Sequence, residues 1–252
     1  MALLETRGLT KSFGGLVAVD DVDLSIESGE SLSVIGPNGA GKSTFINLVT
    51  RMLDPTAGDI EFKGESIVSD DPHEVVQKGV SRSFQTASIF PELTVEENAM
   101  IATLAAEHGS FRFNFFRHRD DYGTIETSAR EILDAFDLLG QRTVTAEDLP
   151  YGDKRRLELA IALASEPDLL LMDEPTAGMS PEETAATVRL IEEVKEELGL
   201  TVLLVEHDME VVFNVADRIA VLHRGSVIAE GAPEEVRGDS DVQEAYLGGA
   251  EV

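Results

Sequence analysis

The chain has 252 residues, with 20 Lys and Arg against 48 Asp and Glu, a formal charge of −28, and no cysteine. Such a charge excludes a protein that coats nucleic acid or binds anionic lipid electrostatically, since both need a net positive surface to displace counterions from phosphate. The missing thiols exclude disulfide scaffolds, thiolate metal sites and cysteine nucleophiles, while a 42% hydrophobic content still allows one large domain with a subdomain to bury a core.

Lysine is scarce among the cations: Lys11, Lys42, Lys63, Lys78, Lys154 and Lys195 are all there are. An acidic, lysine-poor composition fits a salt-adapted protein, because at molar salt the Debye length falls to about 3 Å and like charges cease to repel. The first ten residues contain Glu5 and Arg7 instead of a signal-peptide core, and no run reaches the roughly 18 uncharged apolar residues of a membrane span. A soluble chain is expected, one that reaches a membrane through partners.

In the first segment Leu3, Leu9, Val17, Val19, Val22, Leu24 and Ile26 are separated by polar or glycine positions, with turns at Gly14-Gly15 and Ser28-Gly29, which predicts short antiparallel strands. Residues 31–35 form a brief strand that ends in Gly36-Pro37-Asn38-Gly39-Ala40-Gly41-Lys42-Ser43-Thr44, and Phe45, Leu48, Val49, Met52 and Leu53 continue at helical spacing. Asp54-Pro55-Thr56-Ala57-Gly58 breaks that helix, and Ile60-Glu61-Phe62 with Lys63-Gly64 reads as a strand and tight turn. From about Thr86 to Leu149 helical spacing takes over, as in Ile125, Ala129, Ile132, Leu133, Phe136 and Leu139, so this stretch is a helical insertion in an α/β core.

The core resumes with a helix over about 154–165 and a buried strand at 169–172. Ser180-Pro181-Glu182-Glu183 starts a helix with a serine cap, proline at the first position and glutamate three residues after the cap. Residues 201–205 are a further buried strand, and 219–222 and 227–229 form two more around Arg224-Gly225. This order predicts an α/β fold with a parallel sheet faced by helices. The expected divisions are a core with a β subdomain over about 1–85 and 150–235, a helical subdomain over about 86–149, and a tail over about 236–252.

Gly36 to Ser43 has the form G-x-x-x-x-G-K-[ST], with a strand before it and a helix after it. Its glycines let successive backbone N–H groups surround phosphate oxygens, and the helix N-terminus adds positive potential. Lys42 is placed to reach β- and γ-phosphates and Ser43 to give a hydroxyl to Mg²⁺. At the other end of the core the strand at 169–172 runs into Asp173-Glu174-Pro175, where Asp173 is placed to hold Mg²⁺ through water and Glu174 to polarise an attacking water.

With these motifs, the residues between and after them resemble the ATP-binding cassette (ABC) family, the ATPase subunits of membrane transporters, over about residues 3–231. The resemblance implies a P-loop NTPase core with a parallel sheet, an N-terminal antiparallel β subdomain and a helical insertion subdomain. It implies that Gln85, in Ser83-Phe84-Gln85-Thr86, contacts Mg²⁺ or the attacking water and couples to the membrane subunit. His207 would sense the γ-phosphate, and Phe13 would stack on adenine. Leu149-Pro150-Tyr151-Gly152-Asp153 stands where the family has L-S-G-G-Q ahead of a helix. The serine that would bind γ-phosphate from the opposing subunit is absent, which leaves the Gly152 N–H and the helix N-terminus for that anion, with Asp153 as a candidate helix cap. The loop Thr176-Ala177-Gly178-Met179-Ser180 also lacks the family's common aspartate.

The signature tyrosine, the run Arg155-Arg156-Leu157-Glu158, the phrase from Glu174 to Pro181 and that from Phe13 to Val19 look like the branched-chain amino acid importer subgroup. The resemblance implies a pair of such ATPases, identical or related, on integral membrane permease subunits at the cytoplasmic face of the membrane. A solute-binding protein completes that system, and nucleic acid has no part in it. The alternatives are urea or lipopolysaccharide transport, or a soluble non-transport ABC protein; the single phosphate loop and the absence of a heptad run disfavour the last. Phe111-Arg112-Phe113-Asn114-Phe115-Phe116-Arg117-His118-Arg119 interleaves cations with aromatics, a nucleic-acid-stacking pattern. In its acidic surroundings it is expected to pack on a membrane subunit or on its own helices.

Overall fold

The computed structural model describes residues 2–83, 89–108 and 121–247. Strands β1 (Ala2–Phe13) and β2 (Leu16–Glu27) form an antiparallel ribbon. They are long where short strands were expected, because register shifts such as that between Thr6 and Leu9 bend the ribbon without ending it. Next come β3 (Ser31–Ile35), the glycine-rich loop and helix α1 (Lys42–Val49). This helix stops short of Leu53: Arg51 adopts a left-handed φ of 58°, its guanidinium donates to Leu53 O and Asp54 Oδ1, and Met52 is left exposed.

The chain continues through β4 (Ala57–Phe62), β5 (Glu65–Ser66), α2 (Pro72–Gln77) and β6 (Val80–Ser83). Helices α3 (Val95–His108) and α4 (Asp121–Ala135) and the 3₁₀ turns Leu139–Gln141 and Ala146–Asp148 occupy the expected helical insertion. Then follow α5 (Tyr151–Leu163), β7 (Leu169–Asp173), α6 (Pro181–Leu198), β8 (Thr201–Val205) and α7 (Met209–Val215). The chain closes with β9 (Arg218–His223), β10 (Ser226–Gly231), α8 (Pro233–Gly238) and α9 (Ser240–Leu247). Helix α6 starts on the expected box, with Ser180 Oγ accepting from the Glu183 N–H and the Glu183 carboxylate accepting from the Ser180 N–H.

Two sheets result. One is antiparallel in the order β2-β1-β4-β5; the other has the order β10-β9-β3-β8-β7-β6 and is parallel except for β10. The expected parallel sheet is thus mixed at one edge. Arg224 and Gly225 both take positive φ, 53° and 91°, and the two-residue turn they make returns β10 alongside β9.

Side-chain alternation along each buried strand divides the core into layers. Leu169, Leu171, Leu203 and Val205 join Leu32, Val34, Phe45 and Ile46 on the face covered by the antiparallel sheet and α1. Leu170, Met172, Val202 and Leu204 face the other way, onto Leu157 of α5, Ile191 of α6 and Val211 of α7. That second cluster runs on into Val95 of α3 and Leu133 of α4, so the helices of the insertion share this core. Each such fully buried side chain contributes about 1.5–3 kcal/mol of transfer free energy. Their combined effect holds the carboxyl ends of the parallel strands at one level.

Candidate active site at the carboxyl ends of the parallel strands

Ile35, Asp173 and Val205 end three adjacent strands, and the ladder aligns Asp173 with Val205 and Val34 with Val205. Functional side chains of open α/β sheets emerge at this edge. From β3 the chain enters the phosphate loop, where Gly36 has φ 151° and any Cβ would lie 2.1 Å from Leu222 O. Gly41 has φ 107°, and its Cβ would meet Ala18 O at 2.3 Å. The loop is therefore clamped between β2 and β9 at positions only glycine fits. The Gly225 N–H donates to Ala40 O, and Gly225 O accepts from the Asp20 N–H, each at 2.9 Å.

Gly36 and Ala40 are buried, Pro37 and Thr44 half-buried, and Asn38, Gly39 and Ser43 exposed, so the loop presents its outer rim to solvent. Helix α1 begins at Lys42 with no side-chain cap and no acidic residue in its first turn, leaving its N-terminal potential uncompensated. Lys42 is buried, and its Nζ donates to Gly36 O (2.6 Å) and Pro37 O (3.3 Å). Burial pulls its pKa below the ordinary lysine value, against the opposing charges of Glu174 and Asp173. A buried ammonium held by carbonyls, beside a glycine cradle that no Cβ can enter, fits the phosphates of a nucleotide.

Asp173 is buried, and Arg82 of β6 donates to its Oδ2 at 2.7 Å while also donating to Asn47 Oδ1 at 2.8 Å. Glu174 follows with a left-handed φ of 49°, its N–H donating to Val205 O at 2.8 Å. A carboxylate residue in that conformation carries strain, a frequent mark of working sites. Its Oε1 lies 3.8 Å from Nδ1 of His207, whose side chain is 60% exposed at the end of β8. Glu206, fully buried, connects the two loops.

Phe13 ends β1 and is exposed, with Lys11 Nζ 5.1 Å from its ring centroid. Tyr151, Gly152 and Asp153 fall inside the first turn of α5, so this helix begins three residues before the expected start. Gly152 is exposed there. Asp153 does not cap the helix: Pro150 occupies the cap position without a side-chain bond, and Asp153 accepts from Gln141 Nε2 at 2.9 Å. Gln85 and the segment 111–119 lie outside the described residues. The structure thus gathers the phosphate loop, Lys42, Asp173, Glu174 and His207 at one edge, whereas Gly152 sits on a separate helix. Sequence reasoning missed Arg82 and Glu206; the one signal for Glu206 was a charge continuing the apolar run of β8.

Residues 19–177 match the profile of a family described as ABC transporter, and residues 226–252 that of the branched-chain amino acid ATP-binding cassette transporter. The high-affinity branched-chain amino acid transport ATP-binding protein BraF of Pseudomonas aeruginosa is 40% identical over 252 residues, with 98% of each chain covered. Among solved structures, the ADP conformation of an ATP-binding cassette of an ABC transporter superposes with a TM-score of 0.85 at 32% identity, covering 98% of this chain and 99% of that one. A dimeric post-hydrolysis cassette bound to ADP and Pi gives 0.71 at 26% identity, covering 91% and 98%. With a family profile over more than half its length and a near end-to-end relative, the chain belongs to the ABC transporter family, as one of its ATPase chains.

Proposed function

We propose that this chain is the ATP-hydrolysing subunit of an importer of branched-chain amino acids, working as one of a pair beneath integral membrane permease subunits. The observation that carries this reading is the convergence, at one sheet edge, of a clamped phosphate loop, buried Lys42 and the Asp173-Glu174 and His207 carriers. The end-to-end similarity to BraF supports the cargo. Among the described residues no helix is long and apolar enough to cross a membrane; in this reading the permeases hold the chain at the cytoplasmic face. A solute-binding protein would deliver the amino acid.

In this reading the backbone N–H groups of Gly36 to Thr44 wrap the phosphates and Lys42 neutralises the β- and γ-oxygens. Phe13 offers its exposed ring to adenine. A hydroxyl and one buried carboxylate, Ser43 and Asp173, form a donor set suited to Mg²⁺ shared with phosphate oxygens, with Gln85 as a further ligand. Bound there, Mg²⁺ would neutralise charge on the transferred phosphoryl group. Glu174 orients and polarises the attacking water, and His207 contacts the γ-phosphate. Gly152, at the N-terminal turn of α5, would bind the γ-phosphate held by the opposing subunit, which makes closure of the pair depend on ATP.

The test begins with ATP hydrolysis by the purified chain in molar KCl. Glu174→Gln should bind ATP and pair in its presence while turnover drops more than about a hundredfold; full activity would remove Glu174 from its role. Cargo is then read in vesicles carrying the co-purified permeases: ATP-dependent uptake of labelled leucine supports the reading, and uptake of urea instead would overturn it.

A further inference from the structure

The loop carrying Glu174 and the loop carrying His207 are tied together by a carboxylate that no motif includes. Glu206 is fully buried, and all of its acceptor capacity points at those two loops. Its Oε1 accepts from the Thr176 N–H at 3.1 Å and from Thr176 Oγ1. Its Oε2 accepts from the N–H groups of His207, at 2.9 Å, and Asp208, at 3.3 Å. Thr176 lies in the loop after β7, just past Glu174; His207 and Asp208 lead from β8 into α7. The Glu174 N–H to Val205 O bond is a second rung between the same segments. Nδ1 of His207 stands 3.6 Å from Glu206 Oε2 and 3.8 Å from Glu174 Oε1, so one ring nitrogen is close to both carboxylates.

A carboxylate at this position is costly, since an ion removed from water must be repaid by several donors, and a branched apolar residue would simply extend the run Val202 to Val205. We propose that Glu206 is a positioning residue for hydrolysis: it fixes the His207 main chain and the loop after β7 as one unit, so that Glu174 and His207 keep a common geometry around the attacked phosphate. This rests on the roles given to Glu174 and His207 above.

Glu206→Gln is the sharp perturbation. Whichever way the amide turns, its NH₂ faces backbone N–H groups, at Thr176 or at His207 and Asp208, and one of the two loops is released. Losing hydrogen bonds to a charged group should lower kcat about tenfold to a hundredfold. Affinity for a fluorescent ATP analogue should stay unchanged, because the phosphate loop is untouched. If Glu206 acts through His207, then His207→Ala should cost much less in the Glu206→Gln background than in the wild type. Thr176→Ser, which keeps both donors, should match the wild type, whereas Thr176→Val, which loses the hydroxyl, should lower kcat. An unchanged kcat in Glu206→Gln, a parallel loss of nucleotide affinity, or full additivity with His207→Ala would each overturn the proposal. If Glu206→Gln does not fold, the threonine pair decides: equal kcat in Thr176→Val and Thr176→Ser overturns it. A wild-type chain without ATPase activity would instead overturn the hydrolysis reading itself.

Discussion

Replacing Arg82 by alanine should destabilise the nucleotide-free protein by about 3 kcal/mol. Asp173 is only 2% exposed, and it accepts from the Arg82 guanidinium at 2.7 Å. Removing one member of a buried pair costs about 3–5 kcal/mol, because the charge left behind is neither solvated nor paired. The lower end applies, since the Arg82 side chain is 28% exposed and water can enter the space it leaves. Arg82 also joins Asn47 of α1, so the loss loosens the contact between that helix and the sheet edge. For a chain of this size each kcal/mol shifts the melting temperature by about 2–4 °C, which predicts a fall of about 6–12 °C. Circular dichroism melting with a chelator present and in a single KCl concentration isolates the effect from global charge. The double variant Arg82→Ala/Asp173→Asn should recover a large part of the loss, because it removes the stranded charge. A single variant melting with the wild type, or a double variant no better than the single, would falsify this account of the pair.

Gly36→Ala should lower stability by more than about 1 kcal/mol and abolish ATP binding, read by chemical unfolding and nucleotide titration, because its Cβ meets Leu222 O at 2.1 Å. Phe13→Ala should raise KM for ATP about fivefold with kcat unchanged, as expected for losing one stacking contact of about 1 kcal/mol; steady-state kinetics at saturating and limiting ATP separate the two. Burial lowers the Lys42 pKa, so between that value and the unfolded lysine value the unfolded chain binds more protons and stability rises with pH. Unfolding free energies measured from neutral to alkaline pH should therefore improve for the wild type relative to Lys42→Met, and a constant difference counts against the buried ammonium. With a formal charge of −28, the melting temperature should climb as KCl rises from about 0.1 M to about 1 M, where the Debye length shortens from about 10 Å to about 3 Å. A flat profile would end the salt-adaptation reading and leave the ATPase assignment untouched.

What was legible in the sequence followed from how locally each feature is encoded. Strands β7, β8 and β9 are buried on both faces and so appear as short apolar runs. The phosphate loop is a backbone shape that only a particular glycine spacing permits. By contrast β6 is the polar run Val-Ser-Arg-Ser, and it belongs to the sheet because Ser81 Oγ finds Ala162 O and Arg82 finds Asp173, partners far along the chain. Glu206 was illegible for the same reason: Thr176, which gives its burial a purpose, is 30 positions away. Asp153 shows the converse error, a local rule proposing a cap where a distant Gln141 claims the carboxylate.

The bonds from Gly225 to Ala40 and Asp20 also bear on how the protein is made. The phosphate-binding segment leaves the ribosome well before the hairpin that clamps it, residues 218–231. At about 5–20 residues per second, the nascent chain waits roughly 10–40 s between translating the loop and translating its clamp. Throughout that interval it carries the motif without the cradle. Competence to hold nucleotide is thus deferred until that hairpin has emerged, and a fragment ending before residue 218 should emerge unable to titrate the cell's ATP.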